Sequence, residues 1–197
     1  PCHSHMVKLK RIARFLKKMP RTVLVYPKQD KVGYLDQYVD TDHAGCIRTR
    51  KSTNGGALMH GRHLLRAYSS TQSVISLSSG ESEYYGIVKG TSIVLGAKSM
   101  AKDFGVDMKV RVWTDATAGK GIASRRGLGR TRHIHTQYLW VQQKVHKKEV
   151  ELRKETTKDN VADLMTKHLT EVRMKELMKR LGSESRQGQS GLALRAA

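Results

Sequence analysis

The sequence predicts a mixed α/β fold, a sheet covered by helices. Three features predict it: apolar content near the globular average, short runs with period-two alternation, and longer runs with helical spacing interleaved among them. At 197 residues, with 38% hydrophobic and 27% charged, the chain suits one compact unit plus tails. Collagen-like, mucin-like and coiled-coil classes are excluded by composition. Cys2 and Cys46 lie far apart and suggest no disulfide framework, so a reducing compartment is the simpler expectation. No apolar run approaches the roughly 18–20 residues that a bilayer span needs, and PCHSHMVKLK lacks the apolar stretch of a signal peptide. A soluble protein with no membrane partner is expected, and Pro1 suggests a piece of something longer.

In order, residues 5–19 set Met6, Leu9, Ile12, Ala13 and Leu16 at helical spacing among lysines and arginines, a basic amphipathic helix ended by Pro20. A short apolar run, TVLVY at 22–26, follows. Tyr34 to Asp42 alternates weakly around Leu35 and Val39 and reads as a strand, while 52–61 and 62–70 read as a hairpin turning at Gly61. Ser78 and Glu81 have capping-box spacing, and Tyr84, Ile87, Val88, Val94, Leu95 and Met100 mark a core helix that Gly105 closes. A strand at 106–113 delivers Thr114 and Asp115 to a short helix ending near Ala123. Residues 124–132, rich in Gly and Arg, should be a mobile basic loop. A helix over 134–148, a strand over 149–155, helices over 159–169 and 171–182, and a disordered tail over 183–197 complete the pattern.

With 37 Lys or Arg against 17 Asp or Glu, the formal net charge of +20 points to a polyanionic partner, nucleic acid first; a merely basic surface is the bland alternative. Acidic clusters stand out against that background. Acids fall where elements begin or end: Asp40 and Asp42, Glu81 and Glu83, Asp115, Asp159 and Asp163. Strand ends and helix starts can converge on one edge of a sheet. Singly, each acid has a structural explanation. Glu81 fits its capping box, Glu83, Asp159 and Asp163 could oppose helix dipoles for about 0.3–1 kcal/mol each, and Asp40 and Asp115 could form turns. Together, Asp40, Glu83, Asp115 and Asp163 would bind two divalent cations and position water against a phosphodiester. The nine histidines show no zinc-finger spacing, and no G-x-S-x-G elbow supports a serine nucleophile.

YVDTDHAGC (38–46), RKSTNGG (50–56), SLSSGESEYYGI (76–87), WTDATAG (113–119), RTRHI (130–134) and DNVADLMTK (159–167), in that order, resemble the ribonuclease H domain of copia-type retrotransposon Pol polyproteins. HSHMVKLKRIARFLKKMP resembles the end of the preceding reverse-transcriptase region. The implied organisation is 1–33 as the end of that region, 34–182 as the ribonuclease H-like domain and 183–197 as a disordered tail. The resemblance implies a ribonuclease H-like mixed five-stranded sheet flanked by helices. It also implies cleavage of the RNA strand of RNA/DNA hybrids with two Mg2+ ions, for which Mn2+ can substitute, giving 5′-phosphate and 3′-hydroxyl ends.

Carried over residue by residue, the catalytic and metal-binding carboxylates fall on Asp40 in YVDTD, Glu83 as the second acid of ESEYYG, Asp115 in WTDAT and Asp163 in NVADLM. Asp42 and Glu81 are left as structural neighbours. Four such carboxylates repel one another unless cations neutralise them, so the metal-free site is expected to be poorly organised. Lys120, Arg125, Arg126, Arg130 and Arg132 are the phosphate-contact candidates, set against a merely solvated basic loop. The implied partners are the hybrid and the reverse-transcriptase domain of the same polyprotein, in an intracellular, cytoplasmic retrotransposon particle with a nuclear phase left open. Hybrid recognition through 2′-hydroxyls, groove shape and phosphates predicts little sequence preference.

His43, Gly56, Thr71 and His135 stand where the family usually carries Trp, an aromatic, Lys and an acid. None is a predicted ligand; they bear on packing and substrate contacts. Residues 153–160 hold no counterpart of the loop His of many cellular ribonucleases H. Two function classes stay open: an active hybrid-specific endonuclease, and a catalytically decayed domain that only binds nucleic acid or a polymerase partner.

Overall fold

Period-two alternation decides which way each strand faces, and here it splits the apolar residues into two layers. The computed structural model describes residues 3–129 and 131–188. Along the chain run α1 (His3–Lys18), β1 (Arg21–Leu24), β2 (Tyr34–Asp42), β3 (Thr53–His60), β4 (His63–Thr71), α2 (Ser79–Asp103), β5 (Lys109–Thr114) and α3 (Thr117–Ser124). A 3-10 turn at Thr136–Tyr138, α4 (Trp140–His146), β6 (Glu151–Lys154), a second 3-10 segment at Val161–Met165, α5 (Glu171–Arg180) and β7 (Ser183–Arg186) follow.

The main sheet has the order β4-β3-β2-β5-β6, antiparallel from β4 to β2 and parallel from β2 to β6. This is the mixed five-stranded sheet flanked by helices that the sequence predicts. Leu35 and Val39 of β2, Leu58 of β3, and Val110 and Val112 of β5 pack with Tyr84, Ile87, Val94, Ile122 and Val141 of α2, α3 and α4. Their neighbours in β3, Ala57 and Met59, point the other way, onto Val161, Leu177 and Leu181. The sheet therefore carries helices on both faces. Among the described residues no helix is long and apolar enough to cross a membrane.

Several elements differ from expectation, each for a tertiary reason. The strand expected from 106 starts at Lys109, because Gly105 (φ 77°) and Val106 donate their N–H groups to Lys102 and Ala101 and close α2. The helix expected over 159–169 is only the 3-10 segment Val161–Met165. The Asn160 side chain, bonded to Val39 O and to Ala162 N–H, fixes the segment's start against β2. Residues 183–197 do not begin as a disordered tail: Ser183–Arg186 form β7, antiparallel to β1, and Val25 N–H adds a bond to Gly182 O at 2.8 Å. The last nine residues, 189–197, lie outside the described residues. Gly56 stands opposite Tyr68, whose ring would lie 2.5 Å from any Cβ placed on Gly56, so Tyr68 of β4 occupies the space a side chain at position 56 would need.

The approach of α2 to the sheet depends on two glycines one turn apart. A Cβ on Gly86 would lie 2.6 Å from Thr41 Cγ2, and one on Gly90 would lie 2.4 Å from Val39 Cγ1. Helix propensity alone favours Ala over Gly by about 1 kcal/mol. Val39 and Gln37 beneath Gly90 are fully buried and cannot yield, so an overpacking cost of about 1–3 kcal/mol prevails. Gly90→Ala is expected to lower the denaturant midpoint; a rise would show that α2 stands clear of the sheet.

Candidate active site

Register brings the first two acids together. Tyr38 pairs with Trp113 across the parallel β2–β5 ladder, so two residues further on Asp40 stands level with Asp115. Asp163 comes from the second 3-10 segment, which Asn160 pins in place. Fully buried, Asn160 donates from Nδ2 to Val39 O at 3.0 Å and accepts from Ala162 N at 3.1 Å. Gly55, opposite Asp40 in β3, lets this segment lie on the sheet, since a Cβ there would come within 2.8 Å of Met165 Cβ. As a result, one oxygen each of Asp40, Asp115 and Asp163 lies within 4.8 Å of the others. Glu83 enters from the start of α2, its Cβ packed against Gly119 of α3, and its charge acts on the same site beside Asp40 and Asp115.

The charges are compensated unevenly. Burial first, then repulsion from Asp40 and Asp115, pushes the Glu83 carboxyl up to about 8, although a Thr41 hydroxyl bond opposes the rise. Glu83 Oε2 is buried with no hydrogen-bond partner. Asp40 is also raised, chiefly by burial, against the pull of the Thr166 hydroxyl and the Lys167 ammonium. Lys167 Nζ sits 2.7 Å from Asp163 Oδ1 and 3.2 Å from Asp40 Oδ1, while Thr166 Oγ1 donates to Asp40 Oδ2. Burial alone would lower Lys167, but its bond to Asp163 and the two carboxylate charges hold it above its ordinary value. Lys167 thus supplies the cluster with positive charge that the acids themselves lack. Lys167 and Thr166 both stand in DLMTK, and the i,i+4 spacing from Asp163 to Lys167 was the signal available in sequence.

Other buried acids show what a structural carboxylate looks like in this protein. Asp36 takes two bonds of 2.6 Å from Arg111 and one of 2.7 Å from Trp113 Nε1. Glu81 accepts from Leu77 N–H, Tyr85 Oη and His133 Nε2 at 3.0, 2.8 and 2.8 Å, while Ser78 Oγ accepts from Glu81 N–H. Asp42 folds over Gly45, outside the cluster. Against these saturated groups, a buried carboxylate oxygen with no donor beside three converging aspartates fits a hard divalent cation, which takes oxygen ligands.

The basic candidates divide. Arg125 turns inward to Leu128 O and to Thr131 Oγ1, and Gln142 bonds both Gly127 N–H and Gly127 O, so the loop expected to be mobile is braced. Arg125 thus also braces the loop. Arg126 and Arg132 are exposed, and Lys120 is half-buried on α3. Arg130 lies outside the described residues.

An α/β sheet with three acids converging where its strands end is compatible with binding a divalent cation. The chain is similar to retrovirus-related Pol polyproteins from plant transposons. It is 27% identical over 169 residues to that of transposon TNT 1-94 from Nicotiana tabacum, covering 85% of this chain. It is 25% identical over 185 residues to that of transposon RE2 from Arabidopsis thaliana, covering 92%. The chain spans 13% of the length of either relative. No protein-family model matches. Among solved structures, LC11-RNase H1 isolated from compost is 12% identical with a TM-score of 0.45 over 74% of this chain and 93% of that one. The N-terminal ribonuclease H domain of a Mycobacterium tuberculosis protein is 14% identical with a TM-score of 0.44 over 74% and 96%.

An acid whose folded pKa is raised keeps its proton where the unfolded chain has lost it, so stability falls as pH climbs through that window. For Glu83 the window runs from 4.5 to about 8. In chelator, wild-type melting temperature is expected to drop across this range more steeply than that of Glu83→Gln. Parallel profiles would remove Glu83 from the coupled site.

Proposed function

We propose that this chain is the ribonuclease H region of a retrotransposon Pol polyprotein and hydrolyses the RNA strand of RNA/DNA hybrids. The observation that carries the reading is the convergence of Asp40, Asp115 and Asp163 beside the unpartnered oxygen of Glu83. These four residues would hold two divalent cations, Mg2+ in the cell, with Mn2+ able to substitute. Bound there, the cations supply Lewis acidity toward the phosphodiester and a more acidic water.

The chain's own groups do the rest. Glu83, protonated near neutral pH in the metal-free protein, releases its proton as the site is loaded, so loading is favoured as pH rises. Asn160 and the β2–β5 register hold Asp163, Asp40 and Asp115 in mutual position throughout. Exposed Arg126 and Arg132, together with Lys120, meet phosphates and set the strand's register without reading bases. Attack of water on phosphorus then breaks the bond to the 3′ oxygen, leaving 5′-phosphate and 3′-hydroxyl. Contacts to 2′-hydroxyls distinguish the RNA strand from DNA.

In this reading, residues 1–33 are the end of the preceding reverse-transcriptase region. That domain is the partner in cis, and the activity belongs to an intracellular, cytoplasmic retrotransposon particle.

Asp40→Asn is expected to abolish Mg2+-dependent cutting of labelled RNA in a hybrid while leaving hybrid binding within about twofold, because phosphate contacts dominate affinity. Binding without any cutting by the wild type, in Mg2+ or Mn2+, would leave only a polyanion-binding domain.

A further inference from the structure

Asp40 and Asp163 are almost wholly enclosed, with side chains 2% and 6% exposed, and each gives its Oδ1 to the same ammonium. That ammonium belongs to Lys167, whose side chain is 38% exposed. Its backbone is fixed by a 2.9 Å bond from Lys167 N–H to Asp163 O. The head is therefore attached to the cluster by a flexible four-carbon stem that opens to solvent, and it can leave without moving the backbone. A divalent ion drawn to the Oδ1 atoms of Asp40 and Asp163 meets a positive charge already in contact with both. At half-exposed sites, like charges a few ångströms apart repel strongly enough to change affinity measurably.

We infer that Lys167 is a built-in counter-cation. It holds the acidic cluster together in the metal-free protein and gives up its place when a divalent ion enters, thereby setting the affinity for that ion. The inference deepens the metal-dependent reading and rests on it. Lys167 acts here through Asp40 and Asp163 and is a positioning residue.

Mn2+ titration calorimetry on the full chain tests this, with melting in chelator and no nucleic acid present. Lys167→Met should melt lower than wild type without metal, recover with Mn2+, and bind Mn2+ roughly tenfold more tightly, the size of one lost like-charge contact. Lys167→Arg, which keeps the charge, should bind Mn2+ within about twofold of wild type. A second readout needs no variant. Acylation of wild-type Lys167, followed by mass spectrometry, should speed up several-fold when Mn2+ saturates the site, while Lys144, paired with Glu149, stays unchanged. Unchanged or weaker Mn2+ binding by Lys167→Met overturns the inference, as does acylation that Mn2+ slows or leaves alone. If wild type takes up no Mn2+, this inference and the metal-dependent reading fall together. If wild type binds Mn2+ and Lys167→Met binds no tighter, only the role of Lys167 falls.

Discussion

Carboxylates pressed together repel, and the end of the sheet where β2 and β5 finish is organised around the compensation of that repulsion. The backbone leaves no choice about proximity. Parallel register sets Asp40 level with Asp115, the Asn160 clamp sets Asp163 above them, and the start of α2 brings Glu83 in beside them. These positions are held by two apolar layers far larger than the site, one through Val39 and Ile87 and the other through Val161 and Leu177. The fold can sustain the local cost because folding free energy is gathered elsewhere. Three devices reduce that cost: a proton retained on Glu83, a hydroxyl from Thr166 and an ammonium from Lys167.

Asp36 and Asp40 make an instructive pair because they share one face of one strand, two pleats apart. Arg111 grips Asp36 with both arms, and Trp113 adds an indole N–H, so that acid is finished by its own protein. At Asp40 the neighbour from β5 is not an arginine but another acid, Asp115. A single pattern, the alternation of Arg111, Trp113 and Asp115 along β5 and just past its end, thus separates a saturated carboxylate from one facing another acid within about 13 Å of strand.

The sequence carried the acids and most elements because those signals are local. Strand alternation around Leu35 and Val39, the Ser78 cap and the apolar face of α2 need only near neighbours to be recognised. The failures share one origin. Ser183–Arg186 is polar throughout and becomes a strand only because β1 offers a ladder to it. Val161–Met165 has helical composition, yet it forms only a short 3-10 segment that Asn160 ties to β2. Lys167 was hidden the same way: in a chain of 37 Lys and Arg, one cation at an acid cluster attracts no notice until coordinates place it there.

The net charge and the acidic site then make opposite demands on the same ligand. A net charge of +20 favours polyanions at long range, while a carboxylate cluster repels any phosphate that approaches it. A site built this way remains closed to phosphates while its acids carry uncompensated charge, and one ammonium shared by two aspartates is only partial compensation. Arg125 and Gln142 contribute from the other side. By bonding Leu128, Thr131 and Gly127, they reduce the ordering entropy that these positions would lose on meeting a ligand. Long-range attraction therefore needs no flexible arm, and what remains to be supplied at the acids is positive charge.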